Sequence, residues 1–93
     1  MAINKWKHAP ITREYEARVK KLLKGELKRQ GITYGQLAER LVAIGVDETA
    51  RNLTNKISRG GFTAAFLLQC LIAIDSRGIQ LDDPAHHRSS QND

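Results

Sequence analysis

Glycine residues divide the middle of this chain into four segments, and each segment carries apolar residues at helical spacing. The dividing positions are Gly31, Gly45 and the pair Gly60 and Gly61. Glycine is favoured immediately after the last turn of a helix, where the backbone adopts a left-handed conformation. Each segment also begins near a Thr or Asp, residue types that cap helix N-termini. The pattern therefore predicts an all-α fold.

The boundary signals predict four helices. Their expected bounds are, in chain order, Arg13 to Gln30, Thr33 to Gly45, Asp47 to Arg59 and Thr63 to Ser76, with Thr12, Thr33, Asp47 and Thr63 as N-caps. The second start is the most specific, because Thr33 and Gln36 have the spacing of a capping box. The compact bundle occupies residues 12–81, between an N-terminal arm at 1–11 and a flexible polar tail at 82–93.

Apolar positions spaced as on one helix face predict the core. From the first three helices we expect Tyr15, Val19, Leu22, Leu23, Leu27, Tyr34, Leu37, Ala38, Leu41, Ala50, Leu53 and Ile57 to point inward. The fourth helix is apolar nearly all round and must be covered on every side. Either its own chain covers it, or a homodimer forms through Phe66, Leu68, Cys70 and Ile72. Both alternatives stay open at the sequence level.

Charge is distributed unevenly along the 93 residues, whose formal net charge is +5. A positive surplus favours polyanionic partners such as nucleic acid. The surplus is concentrated in the first thirty residues, where Lys20, Lys24 and Lys28 stack on the side of the first helix opposite its apolar stripe. This row of lysines, the basic stripe, is either a solvated helix face or a set of phosphate contacts. Lys24 and Lys28 are the candidates for DNA binding.

The second and third helices have the features of a helix-turn-helix that binds duplex DNA. The face of the third helix opposite Leu53 and Ile57 carries Arg51, Asn52, Asn55, Lys56 and Arg59. Arg pairs bidentately with guanine and Asn with adenine in the major groove, while Lys neutralises phosphate. At the start of the second helix, Thr33 and Gln36 could meet a phosphate, although capping is their expected role. A solvated amphipathic face would have the same residue pattern.

Three segments carry a resemblance to known proteins. ITYGQLAERL (32–41), RNLTNKISRGGF (51–62) and AAFLLQCLIAI (64–74) are similar to an uncharacterised family of small bacterial domains of unknown function. More distantly, their layout resembles the repressor-like helix-turn-helix domains of phage and bacterial regulators, which implies sequence-specific DNA binding. The stretch from Leu41 to Ile57 is several residues longer than in repressor-like domains, because Val42 to Asp47 lengthens the second helix or the turn.

The sequence gives little indication of catalysis, cofactor binding or membrane insertion. His8, His86 and His87 lie in terminal segments, where a catalytic base would lack fixed geometry, and adjacent tail histidines are usually solvated. Cys70 on an apolar helix face is expected to be a core or interface residue rather than a nucleophile. A single cysteine and the lack of a signal-peptide pattern favour the reducing cytoplasm. The longest apolar run, Phe62 to Ile74, is too short to span a bilayer.

These observations predict a DNA-binding transcriptional regulator, working as a homodimer without a cofactor. The alternative is a small helical protein-interaction module, an adaptor or inhibitor whose basic surface meets an acidic protein. RNA binding is a third possibility, weakened because the few aromatic residues form no stacking cluster. No membrane partner is expected.

Overall fold

The computed structural model describes residues 10–79, and all regular structure in this range is helical. The helices are α1 (Pro10–Gln30), α2 (Tyr34–Ala43), α3 (Ala50–Arg59) and α4 (Ala64–Ala73). The predicted all-α bundle of four helices is confirmed at this level. The polar tail, most of the N-terminal arm, and the three histidines lie outside the described residues.

Helix α1 begins earlier than predicted and continues through Gly25 to Gln30. Thr12 is therefore inside the helix rather than its N-cap. Pro10 suits the first position, because its fixed φ is helical and its missing N–H would have no intrahelical partner there. Gly31 follows the helix with φ +69°, and the Ile32 N–H donates to the Leu27 carbonyl at 2.9 Å, which closes a Schellman turn.

Helix α2 begins and ends as the sequence predicts. Thr33 Oγ1 accepts from the Gln36 N–H at 3.1 Å, and Gln36 Oε1 accepts from the Thr33 N–H at 2.9 Å. This reciprocal pair is the expected capping box. Gly45, with φ +91°, follows the last turn. The connection from α2 to α3 is residues 44–49, so most of the Val42 to Asp47 stretch lies in the turn and not in the second helix.

Besides the start of α1, two further predicted helix boundaries are wrong. Helix α3 starts after Thr49, whose Oγ1 accepts from the Asn52 N–H at 3.1 Å, and Asp47 is not its cap. The backbone stays non-helical beyond Asp47, and the intervening Glu48 side chain turns into the protein. Helix α4 ends at Ala73 rather than Ser76, because Asp75 adopts a left-handed conformation at φ +55°. Aspartate tolerates that conformation better than most residues, so it can replace glycine after a helix.

The core lies where α2 and α3 pack together, with α1 against α3 and α4 against α2. Its fully or nearly fully buried apolar residues are Leu23, Leu27, Leu37, Ala38, Leu41, Leu53, Ile57, Phe66, Cys70 and Ile74. Most of the predicted core positions are confirmed, and Tyr34 packs against this cluster while remaining partly exposed. Burying each large aliphatic side chain contributes about 1.5–3 kcal/mol.

The corrections to the predicted core fall on α1 and at the start of α3. Val19 and Leu22 are only partly buried and are not part of the core cluster. Tyr15 is 55% exposed, and the Arg18 guanidinium lies 5.0 Å from its ring centroid. At 1.5 Å per residue, α1 is about 32 Å long whereas each other helix is about 15 Å, so α1 extends beyond the elements that could cover it. Ala50 is also exposed, because it is the first residue of α3.

A buried carboxylate joins the end of α1 to the turn after α4. Glu26 accepts from Arg29 Nη2 at 2.6 Å, from Gln30 Nε2 at 2.9 Å and from Ser76 Oγ at 3.0 Å. The Arg29 and Gln30 hydrogen bonds lower the pKa of Glu26 to about 2, from an ordinary value of 4.5.

This network predicts a specific acid sensitivity. Because the pKa of Glu26 is lower in the folded than in the unfolded chain, its contribution to stability is present above pH 4.5 and is lost as the pH falls toward 2. Glu26→Gln should therefore flatten the dependence of the urea midpoint on pH in that window. Glu39→Gln, which removes an exposed carboxylate of α2, is the control and should keep the wild-type slope. A wild-type slope in Glu26→Gln would contradict the assignment.

Candidate nucleic-acid interface

Helix α3 presents a polar, carboxylate-free face to solvent. Leu53 and Ile57 are fully buried on one side of the helix. The exposed residues on the remainder of its surface include the five DNA contacts predicted on this helix, which are Arg51, Asn52, Asn55, Lys56 and Arg59. The helix itself contains no Asp or Glu. Its outward face can therefore donate to base edges and phosphates without a repelling charge on the same helix.

Lys56 differs from the other predicted contacts because it already has a partner. Its ammonium donates to Glu48 Oε2, and it lies 5.2 Å from the centroid of the Phe66 ring. The Lys56 side chain is 48% exposed, whereas that of Glu48 is 4% exposed. Glu48 Oε1 is buried without a hydrogen-bond partner. Lys56 thus neutralises an internal charge, and its capacity to neutralise phosphate is reduced accordingly.

The predicted pair at the start of α2 acts in capping. Thr33 and Gln36 are exposed, but the hydroxyl and amide oxygens of their side chains accept the two bonds of the capping box. The predicted capping box is confirmed, and the DNA contact of these two residues stays a prediction. Any phosphate at this helix end would meet backbone and amide N–H groups rather than these oxygens.

The basic stripe of α1 is exposed and joins the C-terminal end of α3. Lys24 and Lys28 point to solvent, and Lys20 Nζ donates to the Ser58 carbonyl at 3.2 Å. The same region of α1 lies against the turn after α3, since a β-carbon on Gly60 would fall 2.8 Å from the Glu16 carbonyl oxygen. The cations of α1 and α3 therefore belong to neighbouring elements held in direct contact.

Comparison with known proteins gives one family. A model of a domain of unknown function, DUF6471, matches residues 15–79, which is most of the chain. The chain belongs to this family. No curated protein and no solved structure matches it. The matched range of the DUF6471 domain includes α2, α3 and α4 in full, and α1 from Tyr15 onward.

Two of the four predicted dimer contacts of this DUF6471 domain lie inside its own core. Cys70 is fully buried and Phe66 is 6% exposed, so neither is accessible to a second copy. These two positions are corrections, because the other helices of the same chain cover that side of α4. Leu68 and Ile72 are each 58% exposed and keep their place in the dimer prediction.

The chemistry available to Cys70 follows from its position. Burial, and secondarily the charge of Glu48, raises the pKa of the Cys70 thiol to about 12. A thiol in that state stays protonated at neutral pH, which fits the expected core role and not that of a nucleophile. Among residues 10–79 there is no group of three or more His, Cys, Asp or Glu side chains placed to hold a metal ion, and no helix long and apolar enough to cross a membrane.

A cleft beside the polar face of α3 did not emerge from the sequence. It has a volume of about 400 Å³ and lies between the start of α1, the end of α3 and the start of α4. Its lining is Arg13, Glu16, Lys56, Arg59, Gly61, Phe62, Thr63 and Phe66. No short-range pattern links these positions, since Arg13 and Phe62 meet only through the packing of α1 on the turn after α3. The pair of Glu48 and Lys56 also has no signature in the sequence, since the two residues are eight positions apart.

Proposed function

We propose that this protein binds duplex DNA sequence-specifically through α3 and acts as a transcriptional regulator. The observation that carries the proposal is the division of α3 into two faces. Leu53 and Ile57 anchor one face in the core, and the other holds exposed guanidinium and amide groups without a carboxylate. A helix that merely needs solvation is commonly covered by charges of both signs, whereas carboxylates on a helix that approaches DNA are repelled by the phosphates.

The side chains exposed on α3 suit base recognition. The major groove is about 12 Å wide and admits one α-helix. Arg51 can donate two parallel hydrogen bonds to guanine, and Asn52 or Asn55 can pair with adenine. Arg51 and Asn52 lie in the first turn of α3, the part of a recognition helix that approaches base edges in helix-turn-helix proteins.

Phosphate contacts are assigned to the neighbouring cations. Lys24 and Lys28 on α1 would contact phosphates of the DNA backbone, and so would Arg59 at the end of α3. The bond from Lys20 to the Ser58 carbonyl supports a fixed geometry between these two elements. Glu26 and Glu48, the buried carboxylates among residues 10–79, are both paired with cations and so contribute little negative potential at this surface.

The proposal includes a homodimer in the cytoplasm. Besides Ile11 and Tyr15 on α1, the large exposed apolar side chains of the described residues are Val42 and Ile44 around the end of α2 and Leu68 and Ile72 on α4. Contact of these side chains with water is unfavourable. Pairing two chains through Leu68 and Ile72 would cover part of this surface. A two-fold dimer would also present two α3 helices to major grooves about 34–36 Å apart.

The alternative function is a protein-interaction module. The same exposed apolar residues favour it, because they would suit a partner protein as well as a second copy. In that case the basic surface would meet an acidic protein, and duplex DNA would bind without sequence preference. The two functions therefore differ in a measurable quantity, the ratio of affinities for selected and random duplexes.

The decisive experiment selects bound fragments from random duplex DNA at near-physiological salt. On the selected site, Arg51→Ala and Asn55→Ala should each lose about 1–3 kcal/mol of binding free energy, with little loss on random duplex. Lys24→Ala should weaken both duplexes equally and reduce the salt slope by about one. Arg77→Ala, which removes an exposed cation beyond α4, is the charge-matched control and should change neither.

Two results would refute the DNA-recognition proposal. One is a selection that enriches no sequence. The other is an equal loss on selected and random duplexes for the Arg51 and Asn55 variants, which would reduce α3 to a non-specific basic surface and favour the protein-interaction module.

A further inference from the structure

The cleft between α1, the end of α3 and the start of α4 has the composition of a small-molecule site. Its volume of about 400 Å³ falls in the range of ligand pockets, about 300–1,000 Å³. The partly buried Phe62 provides the apolar surface, and the buried Phe66 ring lies behind it, with the two ring centroids 5.3 Å apart and the planes tilted by 55°. We propose that this cleft binds a small aromatic monoanion, with the ring against Phe62 and the negative group near the arginines.

The preference for an anion follows from the charges of the lining. Arg13, Lys56 and Arg59 bring three cations, and Glu16 brings one carboxylate. Lys56 is already balanced by Glu48, the buried carboxylate that it pairs with. The remaining surplus is Arg13 and Arg59 against Glu16, a net charge of about +1 that suits a single negative charge better than two.

The preference for an aromatic group follows from the rings and their neighbours. Offset or tilted aromatic contacts are favourable at centroid distances of about 4.5–7 Å, so a third ring can extend the Phe62 and Phe66 pair. The Lys56 ammonium lies near the Phe66 ring and stays there through Glu48. Lys56 therefore forms part of the cleft wall over Phe66, and a ligand ring would contact Phe62.

The walls of the cleft are fixed by close packing rather than by loose loops. A β-carbon on Gly60 would lie 2.8 Å from the Glu16 carbonyl oxygen, and one on Gly61 would lie 3.1 Å from Glu16 Oε2. Thr63, which also lines the cleft, caps α4 by accepting from the Phe66 N–H at 3.1 Å. The turn between α3 and α4 is thus held against α1, and a ligand would meet a preformed surface.

The test uses anilinonaphthalene sulfonate, an aromatic monoanion whose fluorescence rises on transfer to an apolar site. Saturable binding with one site per native chain is expected. Arg13→Gln and Arg59→Gln should each weaken binding about five-fold, since each removes one charge-assisted contact at a partly exposed position. Glu16→Gln should strengthen binding, because it removes the opposing charge. Arg51→Gln, on α3 but outside the lining, is the control and should bind as the wild type does.

Three comparisons make the result unambiguous. Far-UV circular dichroism establishes that each variant stays folded, so that dye binding to an unfolded chain is excluded. Uncharged phenylnaphthylamine should bind more weakly than the sulfonate and should not respond to Arg13→Gln. Equal affinity of all four variants, the same affinity for both dyes, or no saturable binding to the wild type would each overturn the proposal. The assay contains no DNA, so its outcome is independent of the proposed function.

Discussion

Replacing Lys56 by methionine is expected to lower the free energy of unfolding by about 2–3 kcal/mol. Removing one partner of a fully buried ion pair costs about 3–5 kcal/mol, because the other charge stays buried without a counterion. The Lys56 end of this pair is 48% exposed, which reduces the loss, while the Glu48 side chain is 4% exposed and cannot reach water without local rearrangement. Methionine keeps the length and apolar stem of lysine, so packing against Phe66 changes little. Urea unfolding followed by circular dichroism measures the effect.

Two further variants separate the buried charge from other causes. Arg51→Met removes a cation from the exposed face of the same helix and should stay within about 0.5 kcal/mol of the wild type. The double variant Glu48→Met and Lys56→Met should recover most of the loss, because it replaces the ion pair by apolar side chains and removes the unpartnered Glu48 oxygen. A Lys56→Met loss no larger than that of Arg51→Met would contradict the pairing.

The Lys56 result also bears on DNA binding. A weak duplex affinity of a Lys56 variant would mix lost phosphate contact with lost stability, whereas Arg51 and Asn55 are exposed and lack this complication. Lys56, although predicted from the sequence to contact DNA, is thus less suitable than Arg51 or Asn55 for testing that contact.

The elements of the fold that depend on local signals were predictable from sequence. The capping box at Thr33 and Gln36 and the left-handed Gly60 both lie where their residue types indicate, because each satisfies backbone groups within one turn of its own helix. Leu37, Leu41, Leu53 and Ile57 were predictable as core because their spacing places them on a single face. These interactions span at most one or two turns, so the sequence pattern contains them.

The features that depend on distant residues were not predictable. The start of α3 is ambiguous in the sequence because Asp47 and Thr49 both have side chains that can cap a helix. In the structure Thr49 is the cap, and Glu48 is buried and paired with Lys56, eight residues further along the chain. Phe66 and Leu68 are similarly apolar, yet one is core and the other exposed, since only the packing of α2 on α4 decides which side is covered. The cleft depends on α1 meeting the turn after α3, a contact with no local signature.

That contact between α1 and the turn can be tested at Gly60, where an alanine should destabilise the protein by about 3 kcal/mol. Gly60 has φ +75°, a left-handed conformation that costs a residue with a side chain about 1–2 kcal/mol. Its β-carbon would also lie 2.8 Å from the Glu16 carbonyl oxygen and 3.3 Å from the carbonyl carbon, so α1 would have to move. Overpacking of this kind adds about 1–3 kcal/mol.

Gly31→Ala is the matched control, because Gly31 has φ +69° and nothing within 4 Å of its β-carbon position. It should lose only the cost of the left-handed backbone, about 1–2 kcal/mol. The difference between the two urea-unfolding free energies therefore isolates the approach of α1 to the turn. The atoms in the way are backbone atoms of α1, which cannot move aside as the end of a flexible side chain would. Gly60→Ala should therefore also move Arg13 away from Phe62 and weaken dye binding in the cleft. Gly31→Ala should leave dye binding unchanged. Equal losses of stability in the two variants would mean that α1 does not lie against this turn.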